Sequence, residues 1–136
     1  MAVVDGEGLP LGVLVTSASP AEVKLIEQTL DQAPPAEDGG DRIETLVYDK
    51  AADSDPLRDR LDERGIDLIC PHRRNRVRAP RQDGRKLRRY RRRWKVERTF
   101  AWLGNFRRVV VRYEWYTKMY LAFLHLACAL IALKRL

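Results

Sequence analysis

The stretch spanning residues 43–71 constrains the fold more than any other part of this chain. It reads as a short apolar strand at 43–48, a helix at 54–65 and a second short strand at 66–70. Ser54-Asp55-Pro56 opens the helix, Leu57 and Leu61 share its inward face, and Gly65 stops it. Pro71 ends the second strand. A strand, a helix and a strand of these lengths fold as a crossover, which lays the two strands parallel.

The remaining elements follow from the same reading. Ala2-Val3-Val4, the turn residues Asp5-Gly6-Glu7-Gly8 and an apolar run at 9–16 predict a hairpin. Ser19-Pro20-Ala21-Glu22 is a helix-opening signal, with Val23, Ile26 and Leu30 on one face behind it. "DQAPPAEDGGD", residues 31–41, is a loop, and a basic loop covers 72–86. A long helix is expected from about residue 86 to 108 and a last one from about 118 to 135. The order is ββαβαβαα, without internal repeats, and 136 residues suit one α/β domain.

Charge divides the chain. Residues 1–72 hold 6 basic and 16 acidic residues, whereas residues 73–113 hold 17 basic and 2 acidic ones. A band that basic, interleaved with aromatic residues, points to phosphate and hence to nucleic acid. A solvated basic face is the plainer alternative. Cys70 and Cys128 form no CxxC pair, so a thiolate metal site and a disulfide framework are both excluded and a reducing compartment is expected. The apolar run at 119–133 is 15 residues long and contains His125, short of the ~18–20 residues a bilayer span needs. It predicts a packed helix and no membrane partner.

Two carboxylates stand out. In "YRRRWKVERTFAWLGNF", residues 90–106, Glu97 is the single acid. On a continuous helix Tyr90, Arg93 and Glu97, at i, i+3 and i+7, share one face, beside an apolar stripe of Val96, Phe100 and Leu103. Asp49 falls at the C-terminal end of the 43–48 strand, where sites gather in α/β sheets. Two carboxylates beside a basic groove suit Mg²⁺, which takes oxygen ligands and fills its shell with water and phosphate. The plainer alternatives are an ion pair for Glu97 and a turn or cap role for Asp49.

"YDKAADSDPLRDRLDERGIDLICPHRRNR", "RRYRRRWKVERTFAWLGNFRRVVVRYE" and "AFLHLACALIAL" resemble the C-terminal half of DDE transposases from bacterial insertion sequences, in the family-four/five group. The resemblance covers essentially the whole chain, with "VVDGEGLPLGVLVTSAS", residues 3–19, similar to the hairpin before the second catalytic strand. It implies a ribonuclease-H-like mixed sheet with flanking helices. The family's second catalytic Asp is matched by Asp49 in "YDKAADS", and its Y-x2-R-x3-E signature by Tyr90, Arg93 and Glu97. Asp49 and Glu97 are thereby the implied catalytic and metal-binding carboxylates, for Mg²⁺ or Mn²⁺. Tyr90, Arg91 and Arg93, with Arg73, Arg74 and Arg76, are the implied DNA contacts. The sequence departs from the family at Gly104, where a Lys is frequent, and at Ala51 and Ala52, where Gly-Tyr is more usual.

The family's first catalytic Asp lies on a central strand ahead of the hairpin, and Asp5, in the hairpin turn, is not its counterpart. Residues 1–136 are therefore expected to be a partial catalytic domain, missing that N-terminal strand and inactive alone. The implied activity is Mg²⁺-dependent DNA strand cleavage and transfer in transposition. The implied partners are DNA, as element ends and target, with an upstream transposase segment and a second copy of the chain as further candidates. A cytoplasmic, nucleoid-associated location follows. A non-enzymatic basic DNA-binding protein and a decayed remnant are the competing readings.

Overall fold

Short strands and helices alternate in the computed structural model, which describes residues 1–35 and 42–135. The first part holds strands β1 (Ala2–Val4) and β2 (Pro10–Val13), helix α1 (Ile26–Leu30), strand β3 (Thr45–Val47), helix α2 (Asp55–Glu63) and strand β4 (Asp67–Ile69). Helices α3 (Trp94–Leu103), α4 (Arg107–Val110) and α5 (Thr117–Leu133) follow. Residues 36–41 of the expected 31–41 loop lie outside the described residues. The chain is α/β, and its contacts group it into two compact units. One is Met1–Pro34 with Trp94–Leu136, the other Pro35–Arg93.

In the first unit β1 and β2 pair antiparallel, Ala2 opposite Val13 and Val3 opposite Gly12. The ladder runs one step further, because Met1 and Leu14 exchange hydrogen bonds at 2.7 and 2.9 Å. Asp5 shapes the turn by accepting the N–H groups of Glu7 and Leu9 at 2.7 and 2.8 Å. Gly8 closes it at φ +81°, and a Cβ there would meet the Lys95 carbonyl at 3.2 Å. Glycine is thus required twice over, by backbone sign and by the close pass of α3. The core is Val13, Leu103, Leu124, Ala127 and Ile131, with Leu9, Trp102, Phe106 and Val109 packed around it. Helix α5 matches the expected last helix within two residues at either end. No helix of the described residues is long and apolar enough to cross a membrane.

The expected continuous helix at 86–108 is corrected. A 3₁₀ stretch covers Lys86–Arg92, α3 begins at Trp94, and α4 follows a break at residues 104–106. The physical reasons lie in the sequence. "KLRRYRR" stacks like charges three and four residues apart and opposes the dipole at a helix start. Gly104-Asn105 is a weak helix segment after Leu103. The stripe of Val96, Phe100 and Leu103 is corrected in part. Leu103 is buried, but Phe100 is 51% exposed and Thr99 fully buried in its stead. Thr99 turns inward because its hydroxyl donates to the Gly8 carbonyl.

In the second unit β3 and β4 pair parallel, Thr45 with Asp67, Leu46 with Leu68 and Val47 with Ile69. The crossover helix α2 buries Leu57 and Leu61 against them. Its end is a Schellman motif: Gly65, at φ +74°, donates to the Asp62 carbonyl at 2.9 Å and Ile66 donates to that of Leu61 at 2.8 Å. Both hydrophobic partners, Leu61 and Ile66, are buried. The 3₁₀ stretch is tied to this pair by Lys86 to Asp67, at 2.8 Å, and by Arg89 to the Thr45 hydroxyl, at 3.1 Å. Among the described residues the four strands thus form one antiparallel and one parallel two-stranded sheet.

Candidate functional site

Asp49 lies two residues beyond β3, at the carboxyl end of the parallel pair. The strand reaches it in register, since the Tyr48 N–H donates to the Ile69 carbonyl at 3.0 Å. Its backbone stays extended, and its Oδ1 accepts the Ala51 N–H at 2.7 Å, capping the 3₁₀ turn Lys50–Ala52. The cap fixes the carboxylate's direction while leaving it partly exposed.

Four residues later Asp53 organises a second, more buried arrangement. Its residue exposure is 8%, and its Oδ1 lies 3.0 Å from His72 Nδ1, 3.1 Å from Arg76 and 3.4 Å from Arg58. Its Oδ2 accepts the backbone N–H of Arg73 at 2.8 Å. Arg58 continues inward to the Leu68 carbonyl at 2.7 Å and to Cys70 Sγ at 2.9 Å. Arg76 turns its other nitrogen to Asp55 at 2.6 Å, and Arg78 meets the same carboxylate at 3.1 Å. Burial pushes the Asp53 carboxyl up, but the Arg73 N–H, His72 and Arg76 outweigh it and hold the group below the usual carboxylate range. Asp55 is also held low, chiefly by the Arg76 hydrogen bond. Burial pushes the Cys70 thiol up to about 11, and the Cys128 thiol up as well.

The expected DNA contacts divide by environment. Arg73 reaches back to the carbonyls of Lys50 and Ala51, at 3.2 and 2.6 Å, so it braces the turn that carries Asp49. Arg76 is clamped between Asp53 and Asp55, whereas Arg74 is exposed. Arg91 is exposed in the 3₁₀ stretch. Tyr90 and Arg93, three apart and eclipsed at three residues per turn, bring the guanidinium 5.9 Å from the ring centre. Glu97 is exposed in the first turn of α3. Tyr90 and Arg93 belong to the second unit and Glu97 to the first. Asp49 and Glu97 are likewise in different units. Among the described residues no group of three or more His, Cys, Asp or Glu side chains could hold a metal ion.

In the first unit, basic residues of α3 grip the hairpin turn. Lys95 bonds the Gly6 carbonyl and Arg98 that of Glu7. Arg98 also lies between two indoles, 4.8 Å from the Trp94 ring centre and 4.9 Å from that of Trp102. Part of the basic band therefore serves the fold.

Sequence reasoning passed over Asp53, Arg58 and His72. One signal was present: Arg58 follows Leu57 and precedes Leu61 at a spacing of three, which puts it on the buried face of α2, where a cation needs a counter-charge. His72 carried no such signal, because its partner is 19 residues away.

The sequence profile of the transposase DDE domain family matches residues 1–132. A curated relative, a putative transposase for insertion sequence element IS402 from Burkholderia cepacia, is 36% identical over 133 residues. That similarity covers 95% of this chain and 59% of the relative, so the chain spans about three fifths of the length of the relative it matches. No solved structure gives a significant match.

Proposed function

The chain belongs to the transposase DDE domain family, and from that premise we propose that residues 1–136 are part of one catalytic domain, which binds DNA and takes part in strand cleavage and transfer. The observation that carries the reading is the setting of Asp49. A capped, partly exposed carboxylate stands at the carboxyl end of a strand in a parallel pair, where α/β folds build their sites. The strands, in this reading, belong to a ribonuclease-H-like sheet completed by a central strand from outside residues 1–136. That strand also brings the family's first carboxylate, so the chain alone does not cleave DNA. The place of work is the nucleoid, in the cytoplasm.

The donor chemistry fits a hard divalent cation, Mg²⁺ or Mn²⁺. Asp49 and Glu97 offer carboxylate oxygens, and the Ala51 N–H leaves the second oxygen of Asp49 for a ligand. When bound, the cation supplies an activated water and charge stabilisation at the leaving oxygen. Asp49 and Glu97 would each offer it a carboxylate oxygen. Arg74, Arg91 and Arg93 bind phosphates, and Tyr90, stacked on Arg93, packs along the backbone. Arg73 and Arg76 keep the loop in shape through Lys50, Ala51, Asp53 and Asp55, and add positive potential.

A plasmid-nicking assay in Mg²⁺ and Mn²⁺ tests this, with the chain alone and with the preceding part of the IS402 relative supplied as a separate segment. Nicking is expected only with the segment and is lost with Asp49→Asn or Glu97→Gln. Nicking that survives both substitutions overturns the assignment. DNA binding with no nicking in either arm favours a non-enzymatic DNA-binding protein.

A further inference from the structure

Residues 107–118 carry four basic residues and one acid, Glu114. The turn between α4 and α5 within them is tightly built. Arg112 donates to the Glu114 carbonyl at 3.0 Å, to the Trp115 carbonyl at 3.1 Å and to the Thr117 hydroxyl at 3.2 Å. Glu114, its side chain 9% exposed, takes Arg108 on one oxygen at 2.9 Å and the Tyr113 N–H on the other at 3.2 Å. Arg108 lies 5.5 Å from the Tyr113 ring centre. Six residues, Arg108, Arg112, Tyr113, Glu114, Trp115 and Thr117, are thus tied together through one guanidinium and one carboxylate.

Yet this turn shows its aromatic rings to solvent. Trp115 is 90% exposed, Tyr116 65% and Tyr113 59%. A large ring displayed on a pinned backbone is a presented surface, because no slack in the turn accounts for its exposure. The charge around the rings selects the partner. The one acid is paired with Arg108, so Arg107, Arg112 and Lys118 leave the segment net positive. Exposed aromatic faces in a positively charged segment match an unpaired nucleobase attached to a phosphate backbone, where a ring stacks on the base and a cation meets the phosphate. A duplex keeps its base faces stacked and offers them to no side chain.

We propose that the 112–116 turn is a stacking platform for unpaired bases of single-stranded DNA, with Trp115 as the principal face and Tyr116 beside it. The proposal rests on DNA being the partner, as in the function above, and adds a site that distinguishes single strands from duplex.

The test is tryptophan fluorescence and binding with oligothymidylate against a duplex of equal phosphate number, on the full chain. Addition of oligothymidylate is expected to quench emission, and Trp115→Ala to remove that quench and weaken single-strand binding about tenfold. Duplex binding stays unchanged, and Trp115→Phe retains most single-strand affinity. Trp94 and Trp102 remain as internal references, each with an arginine over its ring. Because Trp115 is 90% exposed, its removal leaves the melting temperature in place, so loss of binding is not loss of fold. Unchanged single-strand binding in Trp115→Ala, or an equal loss for duplex, overturns the proposal. So does a blue shift of emission with protein concentration alone, which marks the ring as a protein contact. Failure of duplex binding in the unsubstituted chain counts instead against the proposed function.

Discussion

The backbone N–H of Arg73 donates to the Asp53 carboxylate at 2.8 Å, and that bond fastens the basic loop to the turn beginning at Asp49. The guanidinium of the same residue returns to Lys50 and Ala51. One residue thereby meets the 49–53 turn at both its middle and its end. The loop that provides positive charge and the carboxylate proposed to hold a cation are set by the same contacts.

Asp53→Asn is expected to destabilise the chain by about 3 kcal/mol, since it leaves the buried Arg58 cation without a counter-charge. Urea unfolding measures it. A loss within error of zero would mean that Asp53 is replaceable in the network.

Acid should act through the same group. Asp53 and Asp55 are held below the ordinary carboxylate range, so each binds a proton more readily in the unfolded chain. Their contribution is present above the unfolded value of about 4 and is lost as pH falls through the folded values. The melting temperature is expected to drop below about pH 4, and Asp53→Asn to flatten that drop. A wild-type curve that is level from pH 5 to pH 3 would contradict this.

Gly8→Ala forces a side chain into a left-handed backbone and against the Lys95 carbonyl. The expected cost is about 1–3 kcal/mol. The same substitution at Gly6, where a Cβ meets nothing within 4 Å, is the control and should cost far less.

Duplex binding should weaken steeply with salt. Removing Arg91, Arg92 and Arg93 together is expected to reduce the slope of log K against log salt by about 2–3, near one per lost phosphate contact. A titration from low to moderate salt reads it, and an unchanged slope would place DNA on another face.

What could be read from the sequence was local. The β3–α2–β4 crossover, the hairpin and α5 follow from apolar runs closed by Gly65, Pro71 and the Asp5–Gly8 turn, each acting over a few residues. The broken helix at 86–108 was hidden because periodicity ignores repulsion between close arginines, and Phe100 was placed inward because hydropathy outranks a threonine. Thr99 prevails through a bond to Gly8, 91 residues away. Both strand pairings were legible too, the antiparallel one from the hairpin turn and the parallel one from the crossover. For the candidate site, the sequence put Asp49 at a strand end, and the structure has it two residues beyond β3. The Asp53 network was not legible, because it joins residues from 53 to 76 that share no pattern.

The two native thiols have a practical consequence. Both are raised above their ordinary range by burial, Cys70 to about 11, so near neutrality the thiolate that attacks maleimides and iodoacetamides is scarce at each. A cysteine introduced on an exposed position, such as Asn75 or Val111, would then take a dye or spin label ahead of both. The chain is in effect a ready background for site-directed labelling, and a label at either place would report DNA arriving at that surface without the native cysteines being removed.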